Sequence, residues 1–383
     1  MKKVLFATGI FYPDIGGPAS YSKLVGEELS KLTKVELITY SSVRNHSDDR
    51  YLPFKVNRVW KKWPWFLRHA IYYLKVMNRA KNYDVLYALN TINAGLACYH
   101  AARTFKKKFY VRIVGDYAWQ VAQEKGKTDL GIDEFQKSEK CGKIKSLYEL
   151  QRKVCKKADK IIVPSKYLKK IVMGWGISED KISVIYNGVN FKPADISKEE
   201  ARKEIGISGN IILSAGRLAP WKGFKMLIKI MPQLLEMNQF SRLVIVGDGP
   251  ERKKLETMIV NAGLDKKVYL VGAKSKDGLA VYLAAADMFV LNTGYEGFSH
   301  QILEAMAAEV PIITTSVGGN LEIAKHGENT LLIEYNDEFN LVETIKMLSN
   351  KSELQKKLVI RAKKILGDFS SEKMMKETIN LFM

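Results

Sequence analysis

Short apolar runs that end in glycine or small polar residues, each separated from the next by a helix-period segment, recur along this chain. The first occupies residues 4–10 and leads into FYPDIGGPAS; a helical pattern at 21–32 follows, then a second apolar run at 35–40. DVLYALN, a helical stretch near 92–105, FYVRIVG, another near 144–157, KIIVPS and ISVIYNGV continue the alternation. Runs this short and uniformly apolar suit strands covered on both faces, and strands alternating with helices build a parallel sheet flanked by helices. After residue 190 the polar stretch KPADISKEE breaks the rhythm, and IILSAGR, RLVIVGDG, KVYLVGA, DMFVLN and VPIITTSV start it again. The chain therefore reads as an α/β protein of two doubly wound, Rossmann-like halves, 1–190 and 191–367, with a last helix at about 368–383 that packs back on the first. At 383 residues, 46% of them apolar, it exceeds the size at which one core keeps growing and can fill two. Open sheets of this kind bind ligands beyond the carboxyl ends of their strands. The two halves are thus expected to face a deep central cleft, and the loops that follow strands are the ones to read.

Charge is unevenly divided. Residues 1–190 hold 35 Lys and Arg against 17 Asp and Glu, a net +18, whereas the rest holds 26 against 24, a net +2. Such a split suits a first half that faces a polyanion (an anionic membrane, a nucleic acid or an acidic acceptor), or one whose cations only keep the surface soluble. The segment KKWPWFLRHAIYYLKVMNRAK joins Lys61, Lys62, Arg68, Lys75, Arg79 and Lys81 to Trp63, Trp65, Phe66, Tyr72 and Tyr73. That mixture fits an amphipathic helix on a membrane surface better than a nucleic-acid module, unless the aromatic face goes into the core. The three cysteines match neither a metal knuckle nor a disulfide framework, which favours a reducing compartment. No apolar stretch approaches the roughly 20 residues that span a bilayer, and residues 4–10 are too few for a signal-peptide core. The expectation is a cytoplasmic protein, at most peripheral on the inner face of a membrane.

The residues that carry chemistry follow strands. YEGFSHQILEAM comes after DMFVLNT and opens a helix with Ser299 as its N-cap and Ile302, Leu303, Met306 and Ala307 on its core face. The unpaired N–H groups and positive dipole end of such a helix suit a phosphate. Glu304, well off the centre of the core face, reads either as a solvated carboxylate or, with Glu296, as an acceptor for sugar or ribose hydroxyls. SAGRLAPWKGF puts Arg217 and Lys222 just past a strand, where a forked guanidinium and a point ammonium can hold a diphosphate, or stand as solvated loop cations. IVGDGPERKKLE starts like a dinucleotide fingerprint but has Arg252 where the third glycine belongs, so it speaks only weakly for a nicotinamide cofactor. Gly16 and Gly17 lack the Cβ atoms that would keep phosphate or sugar oxygens from the backbone, or else they make a tight turn. FYVRIV ends in GDYAW, which places Asp116 at the mouth of the expected cleft, where a carboxylate can orient or deprotonate an acceptor hydroxyl.

Taken in order, these motifs resemble glycosyltransferase family four, whose members have the GT-B fold of two Rossmann-like domains. EGFSHQILE is similar to the family's two glutamates separated by seven residues, and GRLAPWKGF, VGDGP, IYNGV and the early GG loop fall in the family's usual order over nearly the whole chain. The resemblance implies that Glu304 binds the ribose hydroxyls, that Glu296 faces the transferred sugar and that Arg217 and Lys222 clamp the diphosphate. It implies that the backbone from Gly297 through Phe298, Ser299 and His300 to Ile302 meets sugar and phosphate oxygens. Gly16 and Gly17 would close over them, Gly247 would join the donor-binding set, and Ala273 and Lys274 would meet the nucleobase. The implied reaction is retaining transfer from a UDP- or GDP-linked sugar to a glycan or lipid-linked acceptor, with no cofactor, no metal and no nucleic-acid partner. The chain has no Asp-x-Asp triplet, in keeping with that. It departs from the family at Gly115, where many members have a histidine before the aspartate, and His300 is not assumed to replace it. Two other classes remain to be separated, a sugar-nucleotide epimerase on the same fold and a noncatalytic basic binding module; the epimerase needs no acceptor.

Overall fold

A computed structural model describes residues 1–14 and 16–383. They divide into two compact units, one made of Met1–Ala122, Ile132–Tyr186 and Glu372–Met383, the other of Gln123–Gly131 and Asn187–Ser371. Residues 123–131, which the sequence reading kept in the first half, are grouped with the second unit.

The first unit holds seven parallel strands: β1 (Val4–Thr8), β2 (Val35–Ser41), β3 (Lys55–Trp60), β4 (Val85–Ala88), β5 (Lys108–Arg112), β6 (Lys160–Val163) and β7 (Ile182–Val184), in the order β3-β2-β1-β4-β5-β6-β7. The second holds six: β8 (Asn210–Ala215), β9 (Ser241–Val246), β10 (Val268–Leu270), β11 (Met288–Leu291), β12 (Ile312–Thr315) and β13 (Leu331–Ile333), in the order β10-β9-β8-β11-β12-β13. β1 and β8 are central and buried along nearly their whole length, as their apolar runs demand. Each order reverses once, between β1 and β4 and between β8 and β11, and a switch point of this kind opens a crevice at the strands' carboxyl ends.

Two strands lie outside the series expected from sequence, and both are edges. β3 reads KVNRVW, its apolar signal interrupted by Arg58, which is buried and forks onto Asp49 at 2.7 and 2.6 Å. β13 is only three residues long. At the other end of the chain, helix Ser371–Asn380 and the residues after it send Met374, Met375 and Phe382 into the first unit's core. Phe382 lies 5.5 Å from Tyr87 and 5.8 Å from Tyr110, ring centre to ring centre. Burying a side chain of that size contributes roughly 1.5–3 kcal/mol, enough to hold a short terminal helix.

Helix Trp65–Ala80 is apolar on two sides. Tyr72, Val76 and Ala80 are buried, with Tyr72 stacked on Tyr40 at 4.3 Å and donating to the Thr8 carbonyl at 3.0 Å. Trp65, Phe66 and Leu74 point outward, 70%, 61% and 57% exposed, and Trp63 just before the helix is 40% exposed. The aromatic residues expected on one face are therefore split between core and surface.

Candidate functional site

The switch point of the second sheet is bordered by the loops after β8 and β11. At the start of the first loop the backbones of Gly216 and Gly247 touch: Gly247 has φ +151°, and a Cβ on it would lie 1.9 Å from the Gly216 carbonyl oxygen. Only glycine permits that approach. Gly247 therefore serves as a packing joint between the ends of β8 and β9, and its N–H donates to the Gly272 carbonyl at 2.9 Å.

The chain next turns through Pro220–Lys222 and is pressed against the end of β11. The Trp221 carbonyl accepts from the Gly294 N–H at 2.7 Å and from the Thr293 hydroxyl at 3.2 Å. A Cβ on Gly223 would fall 1.9 Å from the Asn292 carbonyl oxygen, and φ there is +62°. This clamp delivers Lys222 to Glu296, 74 residues further along the chain, where the Lys222 Nζ pairs with Glu296 Oε1. Lys222 is 9% exposed and Glu296 8%. Groups of opposite charge this far from water are stable only as a pair. A third loop completes the seat: the Gly319 N–H donates to the Glu296 carbonyl at 2.9 Å, and a Cβ on Gly319 would lie 2.1 Å from the Gly297 carbonyl oxygen.

Arg217 does not share that partner. Its guanidinium, half exposed, pairs with Glu124 at 2.9 Å. The two cations expected to act together thus have different carboxylates.

Beyond Glu296 the chain enters helix His300–Ala307. Ser299 is its N-cap, the hydroxyl accepting from the Ile302 N–H at 3.3 Å. Phe298 is buried, its ring centre 5.4 Å from that of Phe369, and Ile302 is fully buried. At these two positions only backbone atoms remain for a ligand. His300, half-buried, is the first helical residue. Glu304 sits one turn further along, half-buried; burial pushes its carboxyl up to about 7, against the opposing pull of the Lys276 ammonium. Lys276 opens helix Lys276–Ala285, which Ser275 caps, and donates to the Asn190 carbonyl at 2.8 Å. Ala273 and Lys274 lie in the loop before that helix, the Lys274 ammonium 5.6 Å from the Tyr282 ring centre. Lys276 was not singled out in the sequence, where it is one lysine among several; only its place just after the Ser275 cap sets it apart.

In the first unit, Gly16 is the N-cap of helix Gly17–Ser30, and its carbonyl accepts from the Ala19 and Ser20 N–H groups at 3.0 and 3.1 Å. Gly17 is the first helical residue, so both glycines stand at a helix start just after β1. Asp116 differs from its expected setting. It is fully buried, Oδ1 accepting from the Trp119 N–H at 3.0 Å and Gln151 Nε2 at 2.8 Å, and Oδ2 from Gln136 Nε2 at 2.8 Å. A base here would first have to shed these donors, and the geometry is that of a carboxylate anchoring helix Tyr117–Glu124. Among the described residues, no three or more His, Cys, Asp or Glu side chains gather where they could hold a metal ion.

Comparison with known proteins agrees with this fold. Residues 15–192 match the model of Glycosyltransferase Family 4 and residues 197–365 that of Glycosyl transferases group 1. An uncharacterized glycosyltransferase of Methanocaldococcus jannaschii is 34% identical over 231 residues, which cover 58% of this chain and 59% of that protein. The N-acetylgalactosamine-N,N'-diacetylbacillosaminyl-diphospho-undecaprenol 4-alpha-N-acetylgalactosaminyltransferase of Campylobacter jejuni is 27% identical over 229 residues, 59% of this chain and 60% of that one. The chain thus spans about 60% of the length of these curated relatives. Among solved structures, Anabaena HepE in complex with UDP-glucose superposes with a TM-score of 0.79 at 20% identity, covering 100% of both chains. The fold is the GT-B fold, with two Rossmann-like parallel-sheet domains.

Proposed function

Because this chain belongs to glycosyltransferase family 4, we propose that it moves a sugar from a nucleoside-diphosphate donor to an acceptor hydroxyl, with retention at the anomeric carbon. The observation that carries the reading is the buried Lys222–Glu296 pair at the second sheet's switch point, its glutamate three residues before the Ser299 cap of a helix. The bond between the anomeric carbon and a diphosphate oxygen breaks, the acceptor oxygen takes its place, and the nucleoside diphosphate leaves. Charge grows on the diphosphate as that bond opens, so a preorganised ammonium and helix end stabilise the transition state more than the bound donor. Lys222 and Arg217 supply the positive charge, which removes the need for a divalent ion. Glu296 faces the sugar and Glu304 the ribose, while the backbone from Gly297 to Ile302 meets the phosphate and sugar oxygens. Gly247 supports these loops, and Ala273 and Lys274 border the base; within the first unit, Gly16 and Gly17 offer the N–H groups of a helix start. Asp116 is assigned a positioning role and no proton transfer.

The relative from Campylobacter jejuni acts, by its name, on a diphospho-undecaprenol-linked sugar, and a lipid-linked or membrane-presented glycan fits the present chain as acceptor. Support comes from the outward Trp63, Trp65, Phe66 and Leu74 beside Lys61, Lys62 and Arg68 in the half that carries +18. Exposed apolar and aromatic residues amid cations suit the interface of an anionic bilayer, where each basic residue contributes about 1 kcal/mol. No helix among the described residues is long and apolar enough to cross a membrane, so the proposed attachment is peripheral.

A thermal-shift panel of UDP-, GDP- and ADP-sugars tests the donor assignment. A donor at a hundredfold excess over its dissociation constant stabilises by about 2.7 kcal/mol, a shift of several degrees that one base should produce and the others not. No shift with any nucleotide sugar would refute it.

A further inference from the structure

The first unit carries a concavity of about 240 Å³ between the segments that follow β1 and β2 and the outer side of helix Gly17–Ser30. Its chemistry is opposite to that of the unit around it. Glu27 and Asp48 reach it with one lysine, Lys23, whereas Asp49 is already neutralised by the fork from Arg58. That leaves a net charge of −1 among the lining side chains, with the Arg50 guanidinium outside them, 4.7 Å from the Tyr51 ring centre, in a half of the chain that carries +18. The Glu27 side chain, half-buried, makes no hydrogen bond or ion pair among the described residues. Asp48 lies close by, its own N–H fixed on His46 Nδ1 at 3.2 Å. Tyr12 and Tyr51 form the aromatic rim, 43% and 72% exposed. Tyr12 is held edge-on by His46 at 5.0 Å, with the Lys23 ammonium 5.5 Å from its ring centre.

We infer that this concavity is a subsite for one ring of the acceptor saccharide, and that it selects neutral or ammonium-bearing sugars over acidic ones. Pyranoses present a face of C–H groups and a rim of hydroxyls. The first suits the electron-rich face of an exposed tyrosine, and the second suits carboxylates with free lone pairs. The volume is below the roughly 300–1,000 Å³ of sites that enclose drug-sized ligands, so it fits a single ring. Its place beyond the carboxyl ends of β1 and β2 is where open α/β sheets take ligands. A carboxylate or phosphate on the sugar would meet Glu27 and Asp48 as like charges. The inference rests on the glycosyl-transfer reading for its meaning, but saccharide binding is measured without catalysis.

Saturation-transfer NMR on the full chain tests it with the methyl glycosides of glucose, galactose, N-acetylglucosamine, glucosamine and glucuronic acid as probes, and UDP and GDP followed in the same samples. At least one neutral or amino sugar should show transfer, and the glucuronide none. In Tyr51→Ala and in Glu27→Gln, which leave the second unit untouched, affinity for that sugar should fall about fivefold, the worth of one modest contact, with nucleotide binding unchanged. Absence of transfer to every neutral and amino sugar, equal transfer to the glucuronide, or a signal unaltered in both variants would overturn the inference. Failure of both nucleotides to bind the wild-type protein would instead overturn the donor assignment.

Discussion

Replacing Glu304 with glutamine separates the two consequences of its burial. The carboxyl is raised from 4.5 to about 7, which corresponds to a penalty of about 3 kcal/mol on the ionised form in the folded protein. A raised folded value means that the native state holds its proton while the unfolded chain has lost it. The native state is therefore unpenalised below pH 4.5, loses stability as pH rises from 4.5 to about 7, and carries the whole penalty above that. Glu304→Gln has no proton to lose. Urea unfolding should find it close to wild type at pH 4 and more stable by up to about 3 kcal/mol at pH 8. Nucleotide binding should move the other way. Ribose hydroxyls donate to the ionised carboxylate, and with a value near 7 only about a tenth of the free protein is ionised at pH 6. Wild-type affinity for UDP or GDP, whichever binds, should thus fall about tenfold from pH 8 to pH 6 in calorimetric titration. The variant should be weaker at pH 8 by about 1–3 kcal/mol and lack that step. Ionisation of the nucleotide's own phosphates appears in both proteins and cancels in the comparison. Identical pH profiles would refute the ribose contact, and a variant no more stable at pH 8 than at pH 4 relative to wild type would refute the burial argument.

Lys222→Met strands Glu296 in a site with little water and should cost about 3–5 kcal/mol of stability. Adding Glu296→Gln should recover most of that loss in urea unfolding while turnover stays down by about two orders of magnitude, since the charge that meets the leaving group is gone. Arg217→Ala, at an exposed pair, should hardly change stability; a fall in turnover larger than the fall in donor affinity would identify it as a transition-state contact, and equal falls as a positioning one. Gly319→Ala should destabilise by about 1–3 kcal/mol and weaken nucleotide binding, because its Cβ would displace the Gly297 carbonyl; wild-type thermal stability would contradict the packing described. Co-sedimentation with acidic vesicles should be lost with salt, with glutamate at Lys61, Lys62 and Arg68, and with Trp65→Ala combined with Phe66→Ala; equal recovery on neutral vesicles would remove the membrane from the account.

What the sequence made legible was whatever repeats locally. The central strands announced themselves as apolar runs, and Ser299 could be placed as an N-cap because the pattern of Ile302, Leu303 and Met306 begins just after it. β3 was hidden because Asn57 and Arg58, neighbours that point to opposite faces of the strand, interrupt its apolar pattern on both sides. Lys222 and Glu296 were each legible as charges in loops after strands, but not as a pair: the contact depends on Gly223 and Asn292 touching, a relation between positions 69 residues apart. Glu304 was ambiguous for the same reason. A helical wheel assigns a residue to a face of its own helix and says nothing of what covers that flank. Asp116 was correctly placed after a strand, but the amides that occupy it, Gln136 and Gln151, come from elements 20 and 35 residues away.

The central claim, retaining transfer from a nucleoside-diphosphate sugar, is tested most directly by the anomeric configuration of the product. The protein is incubated with the nucleotide sugar that stabilises it and with the panel of methyl glycosides, and nucleoside diphosphate release and the anomeric proton coupling of the product are followed by NMR. The account predicts release that depends on the acceptor and a new glycosidic bond with the donor's configuration. An inverted product, or release with no transfer to any acceptor while the donor sugar is epimerised, would contradict it.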